Sequence, residues 1–325
     1  MEQIFKKNNK IATLVCMILL AMMLSLSIAA VFASEDCDED QYAYLEYDFD
    51  SKEFSTHYET KSDSSETWRF FTERQVAQMS TKSQVEANSL PSSFVTTPPV
   101  AGTPASAVVY VLAYYDTDDD GIIDHTSGGS GFLVSDRVVV TSAHCFLPLE
   151  NYDTEKIISG ATLMSTEIHY NQHSATLNSP RVSAKKQYWS YGYTSEILDV
   201  RSRYDYCVIE LSESVNREFY FNCIPAEDVE LNISVRLTGY PKYYLESTNG
   251  KTLEFLDGLR YNLGHTNLSA SGMSGGPVYT TYNNCIGVHR GTYGYYSNSG
   301  SENSISVLFH SQFYSLICGR ITANK

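Results

Sequence analysis

The sequence predicts an all-β domain, a sandwich or a pair of barrels, over residues 100–325. Three observations carry this. Short runs rich in Val, Ile and Tyr recur from Ala107 onward, Gly-, Pro- and Asp-containing turns separate them, and only Ser311 to Ile321 reads as a helix. The 325 residues carry 23 basic and 38 acidic side chains, a net charge of −15, and residues 100–325 keep 15 and 23 of them, a balance of −8. Such a field argues against nucleic acid or an anionic membrane as partner, since both attract positive charge.

At the amino terminus, Lys6, Lys7 and Lys10 precede an apolar run from Ile11 to Ala30, and Val31-Phe32-Ala33 offers a cleavage point before Ser34. This is the pattern of a secretory signal peptide over residues 1–33, although the run approaches the length of a membrane span. Residues 34–99 are acidic and polar, show little hydrophobic periodicity, and are expected to be a pro-segment. The stretch Ser92 to Pro104, with Pro98, Pro99 and Pro104, reads as an exposed linker where processing falls. The mature domain is therefore expected to be secreted, monomeric and without stable membrane association. Of the 7 cysteines, Cys16 and Cys37 lie before it and Cys145, Cys207, Cys223, Cys285 and Cys318 within it. Their spacing forms neither a recognisable disulfide framework nor a zinc site, so pairing stays open.

Ala107 to Tyr115 predicts a strand, followed by D-T-D-D-D-G-I-I-D. Asp116, Asp118 and Asp120, then Gly121 and Asp124, match the spacing of a calcium-binding loop, but Ser127 stands where a bidentate Glu is expected. A structural calcium ion and a solvated acidic hairpin tip both remain open. Phe132 to Val134 and Val138 to Val140 predict a hairpin leading into T-S-A-H-C, which sets His144 just past a buried strand, as a general base requires. Residues 146–203 are of mixed periodicity. His169 and His173 are four apart but lack the Glu of a zinc-hydrolase helix, so no metal is assigned to them.

In Y-D-Y-C-V-I-E-L, Asp205 heads an apolar strand, where a buried carboxylate needs a partner. An imidazole N–H would satisfy it and fix the ring's tautomer. Asp199 competes for this role, but no comparable strand follows it. Further strand-like runs begin at Ser234 and continue after the Gly239-Tyr240-Pro241 turn at Thr252 to Phe255, Arg260 to Leu263, Val278 to Thr281, Cys285 to His289 and Ile305 to Phe309. Among them lies S-A-S-G-M-S-G-G-P, Ser269 to Pro277. Gly272, Gly275 and Gly276 clear side chains from around Ser274, exposing its hydroxyl and leaving the amides of Gly272 and Ser274 to converge on an oxyanion.

The order His144, Asp205, Ser274, within TSAHC, YDYCVIEL and GMSGGP, resembles the chymotrypsin-like serine peptidases and, among them, the bacterial glutamyl endopeptidases. The resemblance spans about Val100 to the carboxyl terminus. It implies two antiparallel six-stranded β-barrels of the chymotrypsin type, a C-terminal helix, and a triad in the cleft between the barrels. Ser274 is then the nucleophile, His144 the general base, Asp205 the orienting carboxylate, and the amides of Gly272 and Ser274 the oxyanion hole. Protein or peptide substrates are cleaved through an acyl-enzyme, and no cofactor is required.

In the glutamyl branch a histidine in the strand after the nucleophile binds the substrate carboxylate, and His289 in G-V-H matches it. The resemblance puts Ser269 on the pocket wall, and a protonated imidazole beside a hydroxyl suits one carboxylate. Cleavage after Glu, less readily Asp, is the implied specificity, with His265 left on a loop. Two alternatives stand beside it: the same chemistry with a non-acidic specificity, and a non-catalytic, calcium-dependent surface or binding protein. Three departures from the family pattern are visible. Met273 replaces the Asp that captures a new N-terminus in trypsin-type members, whereas in the glutamyl branch a freed terminus, here near Val100, contributes to substrate binding. Gly129 stands where a disulfide partner of Cys145 is expected, and Arg290 where an aromatic or small residue is common.

Overall fold

The apolar runs become strands in the computed structural model, which describes residues 41–60, 93–147, 149–151, 156–158, 160–170, 179–194, 198–241, 244–293 and 303–324. The expected signal peptide at 1–33, Cys16, Cys37 and His173 lie outside the described residues. The first strands are β1 (Gln41–Asp48), β2 (Glu53–Thr60), β3 (Val95–Thr96), β4 (Val108–Asp116), β5 (His125–Leu133) and β6 (Val138–Thr141). Next come β7 (Leu149–Asn151), β8 (Lys156–Ile157), β9 (Thr162–His169), β10 (Arg181–Ser190), helix α1 (Leu198–Arg203) and β11 (Cys207–Leu211). Then follow β12 (Asn222–Cys223), β13 (Ser234–Gly239), β14 (Glu246–Phe255), β15 (Asn262–His265), β16 (Pro277–Thr280), β17 (Asn284–Tyr293), β18 (Asn303–Leu308) and helix α2 (Ser311–Ala323). Among the described residues no helix is long and apolar enough to cross a membrane.

Two antiparallel barrels of six strands result. The order β11-β6-β5-β4-β9-β10 closes through β10–β11, and β17-β16-β13-β14-β15-β18 closes through β17–β18. Closure pairs the strand edges that an open sheet would expose. Val109, Val111, Phe132, Val139, Val208 and Ile209 are buried in the first barrel's strands. The second packs Val235, Leu237, Leu263, Val278, Ile286 and Leu308 into one cluster. Each such side chain contributes about 1.5–3 kcal/mol by leaving water.

Three placements differ from the sequence reading. Residues 34–99 do hold periodic structure, because burial alternates along β1, which with β2 forms a hairpin added to β10 at Lys186–Ser190. The linker contributes β3, which pairs with Glu246 and Ser247 of β14. His265 ends strand β15, fully buried, instead of lying on a loop.

Candidate active site

Strand register brings two of the predicted residues together. β6 and β11 pair antiparallel with Cys207 opposite Thr141, so the residues just before β11 face those just after β6. There Ala143–Phe146 forms a 3-10 turn whose Ala143, Cys145 and Phe146 are buried, fixing His144 between them. His144 Nδ1 lies 2.7 Å from Asp205 Oδ2, and the His144 main-chain N–H donates to Asp205 Oδ1 at 2.9 Å. With Nδ1 donating to the carboxylate, Nε2 is left as the basic nitrogen. Burial pushes the Asp205 carboxyl up, but the charge and hydrogen bonds of His144 and the charge of Arg290 outweigh it and hold the group below the ordinary carboxylate range. Asp199 falls on α1 and Asp205 holds the contact with His144.

The Ser274 loop crosses from the second barrel. Gly272 and Gly275 have φ of 97° and 85°, and a Cβ on Gly275 would lie 2.0 Å from the Ser130 carbonyl oxygen and 2.2 Å from Thr141 Oγ1. Only glycine fits both the conformation and the space. Met273 is fully buried in the second barrel's cluster, so the residue that removes the trypsin-type switch anchors the loop by packing. The amides of Met273, Gly275 and Gly276 donate to Ala270, His289 and Met273 carbonyls. Among the described residues, those of Gly272 and Ser274 donate to none, which leaves this pair for an oxyanion. Ser274 Oγ donates to the Arg290 carbonyl at 3.2 Å, and among the described residues no hydrogen bond joins it to His144.

Ser130, which the sequence reading passed over, braces this loop from the first barrel. Its Oγ donates to the Gly272 carbonyl at 2.7 Å and accepts from the Tyr240 amide at 2.8 Å, while its own N–H donates to the Ser274 carbonyl at 2.7 Å. The G-G-S-G run at 128–131 was the available signal, because glycines flanking a serine mark close backbone approach. Gly129 does face Cys145: a Cβ there would stand 2.6 Å from Cys145 Sγ. The five described cysteines are buried free thiols.

His289 is almost fully buried and its Nδ1 has no hydrogen-bond partner among the described residues. Burial, and then the nearby His265 and His144, hold its titration well below the ordinary imidazole range. The ring is thus neutral near pH 7, unlike the protonated imidazole expected from the sequence. His265 packs edge-on to it at 5.7 Å, bonded to Asn267 Oδ1 and Ser306 Oγ and lowered to about 4 by burial. Ser269 is half-buried on the loop after β15, next to Leu268, whose carbonyl accepts from Thr248 Oγ1 at 2.7 Å.

Away from this cleft, His169 Nε2 contacts Glu167 at 3.2 Å. In the acidic turn between β4 and β5, the carboxylates of Asp116, Asp118 and Asp120 converge within 4.8 Å of one another. Asp116 already accepts the amides of residues 118 to 121, and Asp124 turns to the Thr117 amide and hydroxyl. The Asp120 charge raises the Asp118 carboxyl above its ordinary range.

Two six-stranded barrels with a His–Asp pair and a glycine-framed serine where they meet define the chymotrypsin-like serine peptidases as a class. Residues 129–288 match the family model of the trypsin-like peptidase domain. Among solved structures the chain is similar to a Glu endopeptidase, at 17% identity and TM-score 0.50, covering 72% of this chain and 95% of that one. It is also similar to an M. tuberculosis protease in its active form (15% identity, TM-score 0.44, 66% of this chain and 81% of that one). A scabies mite inactivated protease paralogue aligns at 16% identity and TM-score 0.48, over 71% of this chain and 99% of that one. The first likeness shows the fold. No curated protein matches the sequence.

Proposed function

We propose that the protein is a secreted, monomeric serine endopeptidase that cleaves proteins or peptides after Glu, and less readily after Asp. His144 Nε2 takes the Ser274 proton as Oγ attacks the scissile carbonyl, Asp205 holds the imidazolium, and the amides of Gly272 and Ser274 receive the oxyanion. Proton return from His144 releases the amine, and water then hydrolyses the acyl-enzyme by the same route. The 2.7 Å contact between His144 and Asp205 supports the hydrolytic reading.

The buried His289 with its unmatched Nδ1 supports the acidic specificity: a substrate carboxylate entering beside the ring would favour its protonated form and accept from Nδ1–H. Ser269 adds a hydroxyl beside it. A peptide-library profile should show Glu preferred at the cleaved position, with the preference reduced at least about tenfold in His289→Ala. A wild-type profile without acidic preference, or one unchanged in the variant, refutes the pocket.

Maturation near Val100 belongs to this reading. Val100 is 55% exposed, and β3 just before it pairs with Glu246 and Ser247, adjacent to the Thr248 that bonds the pocket-wall loop. A structural calcium ion fits the three converging aspartates, whose mutual repulsion a cation would relieve. Bound only to the folded state, it would raise the melting temperature, and a chelator would lower it. A melting temperature indifferent to chelator removes the calcium from the account.

A further inference from the structure

We infer that Arg290 is a positioning residue of the triad, a cation on Asp205 aimed there by a β-bulge. The inference rests on the serine peptidase reading and extends it to a residue that the family pattern does not supply. β17 pairs His289 with Ser306 and then Gly291 with Ile305, so Arg290 is the extra residue in the ladder. A bulge redirects the side chain at the interrupted position. Arg290 Nε consequently lies 3.2 Å from Asp205 Oδ2, the same oxygen that His144 Nδ1 meets at 2.7 Å. The contact is an ion pair whose geometry falls short of a directed hydrogen bond. From the other side of the same residue, the main-chain carbonyl accepts the Ser274 hydroxyl. One residue therefore touches both ends of the triad.

The chemistry follows from sharing one oxygen. Asp205 is 2% exposed as a side chain and must stay ionised to stabilise the imidazolium that forms when Ser274 gives up its proton. Arg290, whose side chain is 25% exposed, keeps the carboxylate charged and oriented but cancels part of its field at His144. Two further titratable groups near His144 carry no charge near neutral pH: buried His289 is neutral, and burial raises the adjacent Cys145 thiol above its ordinary range. Asp205 and Arg290 thus set the electrostatics of the base between them.

The test replaces the charge and keeps the bulk. Arg290→Met, Arg290→Gln and Arg290→Lys are compared with wild type by NMR titration of isotope-labelled histidine, the His144 signal being assigned by its loss in His144→Gln. The acidic limb of kcat/KM against pH is measured in parallel. The Met and Gln variants should move both midpoints up by about one pH unit, and Lys should restore the wild-type position. Midpoints that stay in place in Met and Gln, or that move equally in Lys, overturn the inference. The NMR arm reads out without turnover, so a wild-type protein that hydrolyses nothing counts against the serine peptidase reading and leaves the Arg290 measurement intact.

Discussion

Ser130 Oγ ties three segments with one atom, linking its own strand β5 to the Gly272 carbonyl and to the Tyr240 amide. Replacing it by Ala leaves that carbonyl and that buried amide unmatched, at a cost of about 1–3 kcal/mol. Because that peptide lies between the Gly272 and Ser274 amides, the loss is expected to loosen both proposed oxyanion donors. Ser130→Ala is predicted to lower kcat/KM about tenfold or more while the protein still folds, measured with a Glu-containing peptide alongside a thermal melt. An unchanged kcat/KM would show that the loop holds without this brace. Met273 illustrates how a residue's meaning depends on scale. In the sequence it registers as a missing Asp, whereas in three dimensions it fills the second barrel's core and fastens the Ser274 loop there.

Among the elements, the β1–β2 hairpin reaches well beyond the expected domain start. It extends β10 where the pairing with β9, at Arg181–Ser183, has ended. Lys186 bridges Glu46 at 2.6 Å and Asp48 at 3.3 Å, and the Tyr47 hydroxyl donates to the Leu163 carbonyl. Arg320 of α2 pairs with Glu59 and lies over the Tyr44 and Tyr188 rings. These contacts predict that cutting an engineered protease site between Thr60 and Val95 leaves the hairpin bound through gel filtration until urea is added. Free elution of the hairpin fragment, with no fall in the domain's melting temperature, would contradict them. This element was hidden in the sequence by its setting. The buried tyrosines at 42, 44 and 47 stand among acidic residues that made the whole stretch read as a polar pro-segment. The bulge at Arg290 was equally illegible, because an extra residue in a ladder shows only against its partner strand.

At the level of the molecule, the alternation of apolar runs and turns was enough to predict an all-β fold, since each strand states its own buried positions. Closure into two six-stranded barrels came from the family resemblance, because pairing between distant strands leaves no local mark. The distinctive local settings of His144, Asp205 and Ser274 are legible in the sequence, and the β6–β11 register explains why the first two meet. Ser130 and the ionic reach of Arg290 were not, because both act across the interface between barrels. The central claim is that this interface assembles an activated serine. Its most direct test is to treat the processed protein with a fluorophosphonate and map the adduct by peptide mass spectrometry. The account predicts a single adduct on Ser274, absent in Ser274→Ala and formed far more slowly in His144→Ala. Correctly processed, folded protein that acquires no adduct at Ser274 would contradict it.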